Sequence, residues 1–275
     1  MKKILVPIDF SKQSNYAIKL AAKIAKKTKA EIYLLHMVEL PSGVVDMGSG
    51  ANFSIPESMM YLKKVKEKIM TLKSTDFNKA TVVKHAIRFQ NPHEGILKYS
   101  EKINPDLIIM GSKGISDFDE ILIGSNTEKV VRTSTTPVLV VKNNPDTFKI
   151  KELVFASNFK EENKKSFTMF LDFATIFKSN IHLLKVNTIS KFETTHVSKE
   201  KILTFLNDFN VTKHTINIYN DMSIEKGILN FSKDINADLI ALSTHGRSGL
   251  SHLFNGSISK NLTKSALRPV ITFKI

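Results

Sequence analysis

The sequence contains no cysteine, which removes structural disulfides, thiolate catalysis and cysteine-based metal sites together. No stretch approaches the roughly 18 apolar residues of a membrane span. At the amino terminus, Met1-Lys-Lys-Ile-Leu-Val-Pro-Ile-Asp9 carries two lysines, but Asp9 ends its apolar run too early for the core of a secretory signal. The expectation is a cytoplasmic protein that does not enter a membrane. Several catalytic signatures are missing as well. There is no Gly-x4-Gly-Lys-Ser/Thr loop, since Lys129 follows Gly124 by five positions, too late for that geometry. There is no Ser-Gly-Gly-x-Asp-Ser loop after the first apolar run, where the chain reads Asp9-Phe-Ser-Lys-Gln-Ser14. The eight histidines form no His-Glu-x-x-His, and no Gly-x-Ser-x-Gly occurs. Acidic residues are the scarcer charge, 26 against 40 basic, for a formal +14. That excess can attract anionic partners, but the lysines are spread along helices and loops without an aromatic-rich nucleic-acid signature, so nucleic acid is not the expected partner.

What is present is organised around one stretch. Asp106-Leu-Ile-Ile-Met110 reads as a short buried parallel strand, and Gly111-Ser112-Lys113-Gly114 follows at its carboxyl end. After nine further residues, Gly124-Ser125-Asn126 opens a helix-like segment. Glycines three apart allow a tight turn, and a helix start offers unpaired N–H groups and a positive dipole end to an anion such as a nucleotide phosphate. The spacing recurs: Ser243-Thr-His245-Gly246, nine residues, then Gly256-Ser257-Ile258. Gly111 and Ser243 are 132 positions apart, as are Gly95 and Gly227, Asp106 and Asp238, and Pro137 and Pro269. The chain is an internal duplication, predicted to form two domains, 1–143 and 144–275.

In the first copy strands are expected at Ile4–Ile8, Ile32–Val38, Thr81–Ile87, Asp106–Met110 and Val138–Val141. Helices are expected after Asp9, from Met59 to about Leu72, from Pro92 to Ile103 and from about Asn126, with a loop from Pro41 to Ser58. Alternation of this kind implies a parallel sheet with helices on both faces, its ligand site at the carboxyl strand ends. The second copy replays it, with Leu153–Asn158 as first strand, a helix burying Phe167, Phe170, Leu171, Ala174 and Phe177, and Ile181–Val186 as second strand. Here the offset is 149 positions, so the second copy is the shorter one, most simply at the Pro41–Ser58 loop. Asn143–Thr147 reads as a turn-forming linker.

Ile-Leu-Val-Pro-Ile-Asp9, Leu-Leu-His36, Gly111-x2-Gly114-x9-Gly124-Ser125, Pro137-Val-Leu-Val-Val141 and Thr244-His-Gly-Arg-Ser-Gly-Leu250 together resemble a universal stress protein of the tandem type over nearly the whole chain. The resemblance implies two Rossmann-like (adenine nucleotide alpha hydrolase-like) α/β domains, each a five-stranded parallel sheet with helices on both faces. The two would pair as the family's homodimers do, with the last strands, Val138–Val141 and Val270–Phe273, edge to edge. A homodimer of such chains is left open. Many members of the family bind ATP, here with or without magnesium. Pro7, Asp9, Met37, Met110, Gly111, Lys113, Gly114, Gly124, Ser125 and Asn126 would then form the site. Asp9 would lie by the nucleoside, the backbone near Met37 by the adenine, and Gly124 to Asn126 by the phosphates. Asp9 can equally serve as a helix cap, and the glycines can serve the turn alone. Asp117, Asp119 and Glu120 in the nine-residue loop would repel a triphosphate if they faced inward.

The second-site candidates are Asn158, Val186, Ser243, His245, Gly246, Arg247, Gly256, Ser257 and Ile258. There Ser243 stands for the first glycine and Asn158 for the aspartate, so this site is expected to be degenerate or tuned to another ligand. The expected function is a stress-response regulator that binds ATP or a related adenine nucleotide, with slow ATP hydrolysis at most. The alternative is a non-nucleotide protein-interaction module that uses the Pro41–Ser58 arm. His36 and His182 are read as core or sheet-edge residues, and His93 as a helix-start residue, rather than ligands.

Overall fold

The structure, a computed structural model of the chain, describes residues 1–38, 55–112, 124–244 and 268–275. The first copy contributes β1 (Lys3–Ile8), α1 (Lys12–Thr28), β2 (Glu31–Val38), α2 (Ile55–Thr75), β3 (Val83–Phe89), α3 (Pro92–Ile103), β4 (Leu107–Gly111), α4 (Ser125–Thr133) and β5 (Val138–Val141). The second contributes β6 (Glu152–Ala156), α5 (Lys164–Phe177), β7 (Asn180–Asn187), α6 (Thr195–Leu206), β8 (His214–Asn220), α7 (Ile224–Asp234), β9 (Leu239–Thr244) and β10 (Val270–Lys274). All ten strands form one sheet in the order β3-β2-β1-β4-β5-β10-β9-β6-β7-β8. Within each copy neighbouring strands are parallel, and the copies meet at the antiparallel pair β5–β10, where Val270 faces Val140 and Ile271 faces Leu139. The expected tandem Rossmann-like α/β architecture and its edge-to-edge junction are therefore present.

The central strands form because they are buried on both faces. β1 buries its last five residues and β5 all four. The sheet divides the core: α1, α2, α5 and α6 cover one face over Ile4, Val6, Phe155 and Phe273, while α3 with α4, and α7, cover the other. The first of these clusters runs without a break through both copies. α1 turns Ala17, Ile18, Ala21, Ile24 and Ala25 to the sheet, and these small side chains let it lie close to β4.

The duplication is written into the backbone. The non-glycine residues with positive φ among those described are three pairs at matching places in the two copies: Phe10 and Phe159, Lys29 and Lys178, Asn104 and Asn236. Asp106 and Asp238 form another pair. Each accepts two backbone N–H bonds at the start of its copy's first strand, from Lys2 and Lys3 and from Lys151 and Glu152, at 2.5–2.9 Å.

Some boundaries differ from expectation. α2 begins at Ile55, so the end of the expected loop is helical, and the rest of that arm, 41–54, lies outside the described residues. β3 is displaced to Val83–Phe89, because register with β2 and not β-propensity sets its start. In α5 Phe173 is buried along with the expected Phe167, Phe170, Ala174 and Phe177, and Leu171 is only half-buried on the flank of the stripe. The linker is no free tether: Pro145–Thr147 is a single 3-10 turn held on α1, with Lys19 Nζ 3.3 Å from the Asp146 carboxylate and Lys23 Nζ 2.5 Å from the Phe148 carbonyl. Among the described residues no helix is long and apolar enough to cross a membrane.

Candidate functional site

In the first copy the chain order reverses beside β1, whose neighbours are β2 and β4, and ligands of open α/β sheets bind at carboxyl strand ends at such a point. A cleft of about 340 Å³ opens there. Pro7, Asp9, Met37, Met110, Gly111, Gly124, Ser125 and Asn126 all line it, brought together from β1, β2, β4 and the start of α4. Lys113, Gly114 and the acidic loop residues lie outside the described residues. The sequence reading missed Ile8, Ser14, Leu35, Pro92, Ile96 and Thr127. Leu35 was findable as the residue two before Met37 on the same strand face, and Ile96 as the next turn of the helix that Pro92 opens.

Gly111 is required by packing. A Cβ there would stand 2.6 Å from the backbone carbonyl carbon of Gln13, so its absence lets the first turn of α1 press against the end of β4. That turn is capped by Ser11, whose hydroxyl accepts from Ser14 N at 3.1 Å. Asp9 is therefore not the cap. Its Oδ1 accepts from Ser11 N at 3.0 Å, and among the described residues Oδ2 has no hydrogen bond. Across the cleft, α4 starts at Gly124, which has no side chain to cap the first-turn N–H groups. The start is anchored from behind by Gly124 N to Ser112 O, 2.6 Å, and by Thr127 Oγ1 to Gly111 O, 3.0 Å. The wall between is apolar. Met37 lies over Gly95 of α3, so tightly that a Cβ on that glycine would overlap the Met37 methyl group.

The second copy is built differently at each corresponding point. Asn158 Oδ1 is occupied by Lys160 N at 3.2 Å and Asn163 Nδ2 at 2.8 Å. Ser243 brings the side chain that Gly111 lacks, and its Oγ lies 2.6 Å from Ser166 Oγ of α5. The stretch matching the first turn of α1 is a 3-10 turn, Glu161–Asn163, and α5 begins only at Lys164. Val186 packs on Gly227 as Met37 does on Gly95. His245, Gly246, Arg247, Gly256, Ser257 and Ile258 lie outside the described residues.

His36 and His182 lie in strands β2 and β7, and His93 in the first turn of α3. His36 is buried in β2. His182 bridges Glu152 Oε2 at 2.7 Å and Thr215 Oγ1 at 2.9 Å, and His93 contacts Asn91 Oδ1 at the start of α3. Burial works to raise the Glu152 carboxyl, but its hydrogen bonds to His182 and Asn180 prevail and hold it below its ordinary value. No group of three His, Asp or Glu side chains that could hold a metal ion occurs among the described residues.

The model of the universal stress protein family matches the chain twice, at residues 1–142 and 149–274. Universal stress protein MJ0577 of Methanocaldococcus jannaschii is 39% identical over 158 residues, which cover 51% of this chain and 94% of the relative. Universal stress protein YxiE of Bacillus subtilis is 32% identical over 145 residues, 51% of this chain and 98% of the relative. Each of these relatives thus spans about half of this chain. A universal stress protein from Archaeoglobus fulgidus shares the whole two-copy fold, with a TM-score of 0.73 at 21% identity over 99% of this chain and 96% of its own. The chain belongs to the universal stress protein family, in its tandem form.

Proposed function

We propose that the cleft of the first copy binds an adenine nucleotide, ATP or a close relative, and that the chain acts in the cytoplasm as a nucleotide-responsive stress regulator rather than as a fast enzyme. The observation that carries this reading is the convergence of three unlike groups on one cleft: a helix start whose N-cap residue is a glycine, a carboxylate with one oxygen unpaired among the described residues, and an apolar wall. The N–H groups and dipole of α4 suit a phosphate. Asp9 suits the hydroxyls of a sugar, since a carboxylate only accepts. Leu35, Met37, Pro92 and Ile96 suit a base, and about 340 Å³ falls in the range of small-molecule sites. Magnesium would arrive on the phosphates, because Asp9 is the one acidic side chain among the described lining residues. With Asn158 occupied and Ser243 in place of a glycine, the second copy would take no nucleotide by this mode, so binding is expected at one per chain.

Calorimetric titration with ATP and magnesium tests this. Wild type should bind with a stoichiometry of one, and Gly111→Ala, which pushes α1 off β4, should weaken binding at least about tenfold. No heat and no retained nucleotide at millimolar ATP, ADP or AMP would sink the reading.

The interaction-module alternative has one observation in its favour. Ile189, Phe192 and Met222 stand 81%, 69% and 72% exposed around an open groove at the carboxyl ends of β7 and β8. It is the reading left standing if wild type binds no nucleotide.

A further inference from the structure

We propose that His36 is the positioning residue of the first-copy cleft, acting from the opposite face of the sheet on the turn that presents Asp9, a role that rests on the nucleotide reading above. His36 is 6% exposed and lies in register with Ile8 across the β1–β2 pair. Its Nδ1 is 2.9 Å from the Ile8 carbonyl oxygen, and since a carbonyl only accepts, Nδ1 carries the proton. Its ring lies 4.8 Å from that of Phe10, over which Lys68 Nζ sits at 5.3 Å. Phe10 has a φ of 64°, a left-handed conformation that a bulky side chain keeps only where its surroundings impose it. Asp9 stands between these two residues. The imidazole therefore grips both chain neighbours of the carboxylate, and the geometry it fixes is where Asp9 Oδ2 points.

The other ring nitrogen sharpens the point. Among the described residues, His36 Nε2 is buried with no hydrogen-bond partner. An unpaired buried polar atom is unfavourable, and a leucine would fill the same space without it. Packing alone does not call for histidine here; the bond to Ile8 and the support of Phe10 do.

The second copy provides the internal comparison. Lys185 occupies the place of His36, and its Nζ turns away to the Glu193 carboxylate and to Ser198 Oγ at 3.1 Å. Phe159, left-handed like Phe10, rests on Phe155 and Phe205 instead. There the carboxylate is also gone, replaced by the occupied Asn158. The imidazole and the carboxylate occur together in one copy, and neither occurs at the matching positions of the other.

The test compares ATP with 2′,3′-dideoxy-ATP by calorimetry in wild type, His36→Leu and His36→Asn, with melting temperatures measured alongside. His36→Leu should lose about tenfold in ATP affinity and most of the preference for ATP over the dideoxy analogue, while its melting temperature falls only slightly, since removal of the buried Nε2 offsets the bond lost at the Ile8 carbonyl. His36→Asn, whose amide N–H still reaches the Ile8 carbonyl, should recover ATP affinity to within about threefold of wild type. Wild-type affinity and preference in His36→Leu would overturn the proposal. So would an equal loss for both nucleotides with a strongly lowered melting temperature and no recovery in His36→Asn, because that pattern is purely structural. Absence of binding in wild type would overturn the nucleotide reading and this role with it, whereas binding in wild type with unchanged variants overturns this role alone.

Discussion

Asp106 shows what one carboxylate does for the start of a sheet. Burial works to raise its carboxyl, but the N–H groups of Lys2 and Lys3 and the positive charges near them outweigh it, so the group is held below its ordinary value of 3.8. A depressed carboxyl stabilises the fold above the unfolded value, and that contribution is lost as pH falls through the folded one. Because Asp106 is exposed, solvent screens the interaction and about 1 kcal/mol is expected from it. Asp106→Asn should therefore be less stable than wild type at pH 7, with the gap closing as pH drops below about 3.8; denaturant titrations at pH 7 and pH 3 would show it. Lys142 gives the opposite sign. Burial lowers its ammonium to about 8, so the charged form is penalised in the fold below that pH. Lys142→Met should raise the melting temperature at pH 7, and the gain should fade between about pH 8 and 10.5. A constant gain across that range would show that it comes from packing and not from the charge.

At the scale of elements, the cleft depends on how closely α1 approaches β4. The contact of Gln13 with Gly111 is backbone to backbone, so an added methyl cannot be relieved by a rotamer change. Gly111→Ala is expected to cost about 1–3 kcal/mol. Gly95→Ala meets only the flexible end of Met37, so stability should change little while the apolar wall shifts. Nucleotide affinity and denaturant midpoints for the two variants would separate these effects: Gly111→Ala should lose both, and Gly95→Ala mainly affinity. Equal losses of stability would contradict this account of the wall.

For the whole molecule, the telling feature is the continuous core beneath ten strands. Ile4 and Phe273 belong to the same buried cluster, β5 and β10 share a ladder, and Lys274 Nζ reaches the Thr133 carbonyl at the end of α4. The copies should therefore unfold together. Calorimetry is expected to give one transition for wild type. Ile271→Asp, which buries a charge at a fully covered position in the junction, should lower that transition by on the order of 4 kcal/mol or split it. Two independent transitions in wild type would refute the single core.

Most of the architecture was legible in the chain itself. A duplicated spacing of glycines, aspartates and prolines, together with short apolar runs, pointed to two α/β copies, and the resemblance to the family pointed to Pro7, Asp9, Met37, Met110, Gly111, Gly124, Ser125 and Asn126, all of which line the one cleft. These signals are local, a period or a turn that a few consecutive residues impose on their own backbone. Tertiary structure alone decided the rest. That Ser11 and not Asp9 caps α1, that Gly111 makes room for Gln13 while Ser243 binds Ser166, and that His36 holds the turn from behind the sheet all depend on contacts between residues far apart in the chain. No period or motif encodes such distances, because they are set only when separate elements pack against one another.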